Sequence, residues 1–258
     1  MSYQIDKHYI TYHLFDSYPE MTGFSTTRHG GVSEKTYATF NCTTHGGDSP
    51  KSVKRNLQLL SDSLPERPDR YIIPHQCHKD AIRFIEDKDV EYSLEGVDAI
   101  VTNIPKVCVC ISTADCVPVL LYDPEKHVVA AVHSGWRGTV IRIIETVIDA
   151  LKQRYGCNPS NFLACIGPSI SIEAFEVGDE VYDAFRDAGF DMRLIARRYK
   201  KWHIDLWEAN RQMLRSKGVL DNHIEVSGIC TYYNDKDFFS ARRLGKKSGR
   251  ILNGIMLL

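Results

Sequence analysis

Apolar positions along this chain fall into two patterns. Val53, Leu57 and Leu60 recur three or four residues apart, the spacing of one helix face. Ser49-Pro50 places an N-cap and a first helical residue in front of them. The longest stripe, Val140, Ile143, Ile144, Val147, Ile148 and Leu151, predicts a helix over 139–155 closed by Gly156. Asp205-Leu206-Trp207-Glu208 is capping-box-like and opens a helix that stops near Gly218. A fourth helix is predicted over 179–188. The second pattern is the short apolar run bounded by turn residues, at 98–103, 107–112, 117–122, 127–133, 161–166 and 224–229. Several of these runs are apolar at every position instead of alternating, which predicts strands buried on both faces. The strands cluster mid-chain and the helices interrupt them unevenly. That order predicts an α+β or layered α/β chain with mixed sheets, and argues against a regular doubly wound fold. No repeat, low-complexity tract or linker divides residues 1–258, so one domain is expected.

One hairpin carries chemistry. The runs 117–122 and 127–133 flank Asp123-Pro124-Glu125-Lys126, a four-residue loop rich in turn formers. With Tyr122 paired to His127, Cys116 stands opposite His133, and opposed Cβ atoms lie about 4.5–5.5 Å apart. A thiolate and an imidazole at that separation can share one zinc ion or act as a nucleophile and its base. After His133, Ser134-Gly135-Trp136-Arg137-Gly138 is a tight loop leading into the strongest helix. Free N–H groups at a helix start, with Arg137 beside them, suit an anion. Two donors do not complete a zinc site, and His45, His75 and His78 are further candidates.

Composition narrows the class. The 258 residues hold 32 Lys+Arg and 33 Asp+Glu, a net charge of −1, which gives no global field to gather nucleic acid or anionic lipid. No apolar run approaches the ~18 residues of a membrane span, and residues 1–8 carry no signal-peptide core. A cytoplasmic protein is expected, and a monomer. The eight cysteines include no C-x-x-C pair, which excludes a zinc ribbon or a thioredoxin-like motif. About six read as small buried hydrophobes in a reducing compartment. Cys116 and Cys77 stand apart.

Longer blocks then carry a resemblance. Gly23-Phe24-Ser25-Thr26-Thr27-Arg28 with Gly30-Gly31-Val32-Ser33, Phe40-Asn41, Gly47-Asp48, Arg55-Asn56 and Gln76-Cys77-His78 resemble the YfiH/laccase-domain family. So do Thr113-Ala114-Asp115-Cys116-Val117-Pro118, His133-Ser134-Gly135-Trp136-Arg137-Gly138, Ile166-Gly167-Pro168, Phe175-Glu176-Val177-Gly178, Phe239-Ser240-Ala241-Arg242-Arg243 and Gly249-Arg250. The blocks run in the family's order from about residue 22 to 250, and the D-C-x-P and H-x-G-W-R-G blocks together are highly specific. The resemblance implies a layered α/β/β/α fold and a zinc site, or copper in older descriptions, on His78, Cys116 and His133. It implies phosphorolysis of adenosine, inosine and methylthioadenosine, with adenosine deaminase activity alongside. Purine nucleosides and phosphate would then be the partners, with Arg28, Asn41, Arg137, Glu176 and Arg242 as candidate substrate contacts. Where the family usually has Gly after the first ligand, this chain has Lys79.

Three rival functions use the same residues. A cysteine hydrolase would take Cys116 as nucleophile and His133 as base, without metal. A copper-dependent polyphenol oxidase would need a copper centre, yet none of the ten histidines forms the H-x-H pairs typical of multicopper sites. A non-catalytic metal-binding or regulatory protein is the third. His223-Ile224-Glu225 matches the H-x-E of zinc deaminases, but no P-C-x-x-C accompanies it. Asp115 and Glu176 each suit either acid/base work or a structural role. Arg242, Arg243, Lys246, Lys247 and Arg250 form a basic cluster that reads mainly as a solvated turn.

Overall fold

The computed structural model describes residues 8–258; the stretch read above for a leader lies outside these, except His8. Among the described residues, fourteen strands form three sheets. The first has the order β1 (Tyr9–Thr11), β2 (Met21–Thr26), β14 (Ile251–Leu257), β6 (Val107–Thr113) and β3 (Arg70–Ile72). The second has the order β13 (Ile224–Val226), β9 (Leu163–Ile166), β7 (Val117–Asp123), β8 (Val128–Ser134), β5 (Ala99–Thr102) and β4 (Ile82–Ile85). A small third sheet joins β10 (Glu176–Val177), β12 (Trp202–Ile204) and β11 (Ala196–Arg198). Both large sheets mix parallel and antiparallel pairs.

Alternation along the continuous apolar strands explains the layers. On β6, Val107, Val109 and Ile111 meet Leu120 and Tyr122 of β7 and Val129 and Ala131 of β8, which joins the two large sheets face to face. Cys108 and Cys110 point the other way, toward Leu60 of helix α1 (Pro50–Ser63). On the far side, Val117, Val119, Leu121, Val128, Ala130 and Val132 pack on helices. These are α3 (Ile143–Tyr155) and α6 (Leu206–Ser216), with α4 (Asp179–Asp187) and Ile195 of α5 (Met192–Ile195) in the same cluster. Each fully buried Val, Leu or Ile in these layers stabilises the fold by about 1.5–3 kcal/mol, and both faces contribute. The result is the α/β/β/α sandwich that the resemblance implies.

Two expectations change, and two strands were not anticipated. The helix predicted over 139–155 is broken into α2 (Trp136–Val140) and α3, because Arg142 takes a left-handed conformation (φ 60°) between them. Its guanidinium bonds the Ala188 carbonyl and Glu145 and lies over the Phe190 ring, which fixes the break. The hairpin register differs by two residues: Asp123 pairs with Val128 and Pro118 with His133. The Asp123 carboxylate accepts from the amides of Glu125 and Lys126, and His127 turns left-handed (φ 46°), so the strands begin one residue nearer the turn on one side and one residue farther on the other. An even shift preserves the face, so His133 still points where an opposed partner of Cys116 would point. Finally, β2 and β14 escape the apolar pattern because Thr22, Ser25, Thr26 and Asn253 are polar yet buried. Ser25 donates to Asn253 at 2.5 Å, which satisfies both inside the sheet. Asp205 caps α6 through the Glu208 amide, as expected, whereas Glu225 of the H-x-E match accepts the Leu14 amide in a structural contact.

Candidate metal and active site

His78, Cys116 and His133 come from three separate segments: the connection from β3 to β4, the crossover from β6 of one sheet to β7 of the other, and the end of β8. Their donor atoms all lie within 4.8 Å of one another. The His78 and His133 rings meet edge to face at 4.8 Å. Gly135 makes the space between them: a Cβ there would sit 3.0 Å from both Cys116 Sγ and His78 Nδ1.

Asp98, just before β5, organises this set. It is fully buried and accepts hydrogen bonds from the amides of Cys77 (3.1 Å), His78 (2.9 Å) and Lys79 (2.9 Å). It also pairs with His133 Nδ1 at 2.7 Å. Burial works against its charge, but His133 and the amides outweigh it and hold the carboxyl below its usual value. The amides hold His78 in a left-handed conformation (φ 59°), which costs a non-glycine residue about 1–2 kcal/mol. Charge-assisted hydrogen bonds of about 1.5–3 kcal/mol offset that cost. With Nδ1 committed to Asp98, His133 turns Nε2 toward the other donors, the carboxylate–histidine arrangement typical behind a metal ligand. Lys79 contributes only its backbone amide here, which any residue other than proline offers.

The pair Cys116–His133 is electrostatically polarised. Burial pushes the Cys116 thiol up, but the His133 charge and hydrogen bond, with help from His78, pull it down to about 6. Burial lowers His133, but Cys116 and Asp98 raise it to about 9. A thiolate with two imidazoles is a soft donor set that suits zinc or copper. Zn–S of about 2.3 Å and Zn–N of about 2.0 Å are compatible with three donors grouped within 4.8 Å of one another. The residues therefore fit a metal.

These three residues line a cavity of about 450 Å³, and Arg137, Lys246 and Arg250 share its wall. None of these three cations has a carboxylate within 4.0 Å among the described residues. Arg250 is half-buried and held by the carbonyls of Lys246, Ser248 and Gly249. Such a concentration of unpaired positive charge attracts an anion. Arg137 lies over the Trp136 ring on α2. That helix has five residues, so little dipole supports the anion, and the side-chain charges carry the attraction.

The other expected contacts stand elsewhere. Arg28 is used by the Ala38 and Asp235 carbonyls. Asn41 is buried and bonds Thr43, Asp48 and the Arg250 amide, so it braces the cavity wall from behind. Glu176 pairs with Lys201 at the surface. Arg242 donates to the carbonyls of Ala174 and Glu176, and its amide bonds Asp115, which caps and braces. Sequence reasoning missed Asp98 and the wall positions of Lys246 and Arg250. An acid inside the apolar run beginning at 98 was the signal for the first. Of the cysteines, Cys77 is exposed, Cys116 is intermediate and the other six are buried. Among the described residues no helix is long and apolar enough to cross a membrane.

The layered sandwich defines an α/β/β/α protein, and its cationic cavity holds a His-Cys-His set that could bind a metal ion. The chain belongs to the family described as multi-copper polyphenol oxidoreductase laccase, whose model matches residues 22–258. It is 47% identical to a protein named purine nucleoside phosphorylase from Bacteroides thetaiotaomicron, over 98% of this chain and 97% of that one. It is 38% identical to adenosine deaminase RL5 from an unknown prokaryotic organism, over 90% and 92%. The crystal structure of the hypothetical protein YfiH from Bacillus licheniformis superposes with a TM-score of 0.91 at 30% identity and covers 99% of both chains.

Proposed function

We propose that this protein is a zinc-dependent purine nucleoside phosphorylase acting on adenosine, inosine and methylthioadenosine, with adenosine deaminase activity. The carrying observation is the convergence of three unpaired cations and a His-Cys-His set on one cavity. The names of the similar proteins support the same reading.

His78, Cys116 and His133 would hold the ion, and zinc when bound supplies Lewis acidity toward an oxygen of phosphate or water. Asp98 keeps His133 in one tautomer and orientation. Arg137, Lys246 and Arg250 bind phosphate and steer one of its oxygens toward ribose C1′. That oxygen forms a bond to C1′ as the C1′–N9 bond breaks, and the purine leaves. In deamination, water replaces the amino group at C6 and ammonia leaves. Eight free cysteines fit a reducing cytoplasm.

Product analysis with inosine tests this. Hypoxanthine and ribose 1-phosphate should appear only when phosphate is present. Arg250→Gln should raise the phosphate KM about tenfold, since a hydrogen bond to a charged group contributes about 1.5–3 kcal/mol. Release of hypoxanthine without phosphate would overturn phosphorolysis.

A further inference from the structure

His45 and His75 also line the cavity, outside the metal set and away from any role given so far. Their rings lie parallel, with centroids 4.7 Å apart and planes 10° from one another. His75 is fixed from three directions. Its Nδ1 pairs with both Glu95 oxygens at 2.8 and 2.9 Å, its amide donates to Leu94, and its carbonyl accepts from Gly96. We propose that this stacked pair is the platform on which the purine base lies, and that it selects purine over pyrimidine nucleosides. The proposal rests on the nucleoside reading of the cavity.

A nucleobase held by protein commonly stacks on a flat aromatic face, and no Phe, Tyr or Trp is among the described residues lining this cavity. The lining offers four imidazoles, and His78 and His133 belong to the donor set. His45 and His75 are the flat faces that remain. Desolvation first, then His75, holds His45 below its ordinary value, which favours the uncharged ring. Arg137, Lys246 and Arg250 are left for the phosphate. A bicyclic purine extends the parallel stack with more overlap than a single pyrimidine ring.

Calorimetric titration of inosine and uridine onto the protein as purified with its metal tests the platform, beside steady-state phosphorolysis. Both residues are exposed, so substitution should leave the fold intact, and elemental analysis of each variant reads its metal content. His45→Ala and His75→Ala should weaken inosine binding and raise its KM about tenfold, the scale of one lost base stack. The phosphate KM and kcat should stay within about twofold. His75→Phe should restore inosine binding to within about threefold, because it keeps the flat face and loses only the nitrogens. Unchanged inosine affinity in both alanine variants overturns the platform, as does a phenylalanine variant as weak as alanine. Wild-type protein that turns over inosine while the histidine variants match it removes the platform alone. Wild-type protein that binds inosine through the pair yet releases no base removes the phosphorylase reading alone. Binding of no nucleoside removes both.

Discussion

A carboxylate without solvent exposure stays ionised only where donors surround it, and Asp98 has three amides and an imidazole. The Cys116 charge first, and then Asp98, lets His133 carry a proton against burial, and His133 in turn favours the Cys116 thiolate. The two groups titrate as a unit. The metal-free protein should therefore show thiolate ultraviolet absorbance at neutral pH. The thiol is held low, so absorbance should fall only as pH drops through about 6. Asp98→Asn removes the anion behind His133, moves that fall to higher pH, and weakens metal binding about 10–100-fold. Cys116→Ala should abolish the absorbance. An unchanged profile in Asp98→Asn would detach Asp98 from the site. The sequence displayed this acid within an apolar run, but its partners lie 19 to 35 residues away, and only the sheet pairing brings them together.

At the scale of elements, the site depends on a connection that is not itself a strand. Between β3 and β4, Gln76 acts as a strand neighbour to β6: it accepts from the Ser112 amide and hydroxyl and donates to the Ser112 carbonyl. The same connection carries His75 and His78. Each net hydrogen bond contributes about 1 kcal/mol, so Gln76→Ala should lower unfolding stability by about 1–3 kcal/mol in a denaturant titration. It should also weaken the metal site, because His78 loses its anchor. Full stability in that variant would mean the connection is held by Asp98 alone. Elements with regular periodicity were legible from the chain: α4, α6, β6, β7 and β8 fall within a residue or two of their expected bounds, and α1 starts at the expected Pro50. The break at Arg142 was not, since the apolar stripe of α3 continues through it and the stabilising contacts come from Ala188 and Phe190. Gln76 was illegible for the same reason, because its partner belongs to another strand.

For the whole molecule, the three donors tie both large sheets and the loop between β3 and β4 to one point. Anything that binds the folded chain and not the unfolded one stabilises it, by about 2.7 kcal/mol when free metal is a hundred times Kd. For a chain of this size that corresponds to a fall of roughly 5–10 °C in Tm when a chelator strips the ion. Elemental analysis should give one zinc per chain. His133→Ala and Cys116→Ala should lose both the zinc and the chelator sensitivity, while His127→Ala, at the turn end of the same hairpin, should keep both. A covalent adduct on Cys116 during turnover would instead mark it as a nucleophile. The layered class was readable because both faces of the central strands are apolar. The arrangement of cations was not, because Arg137 and Arg250 are distant in sequence and meet only across the cavity.

The position of β14 has a consequence for the order of assembly. This C-terminal strand is not an edge; it lies between β2 and β6, near the middle of the first sheet. During synthesis His78, Cys116 and His133 all emerge well before it. Lys246 and Arg250 emerge just ahead of it, and Arg250 is placed only when β14 inserts between strands already made. In chain order, then, the three donors are complete before the cationic wall, which is closed only by the last segment before β14.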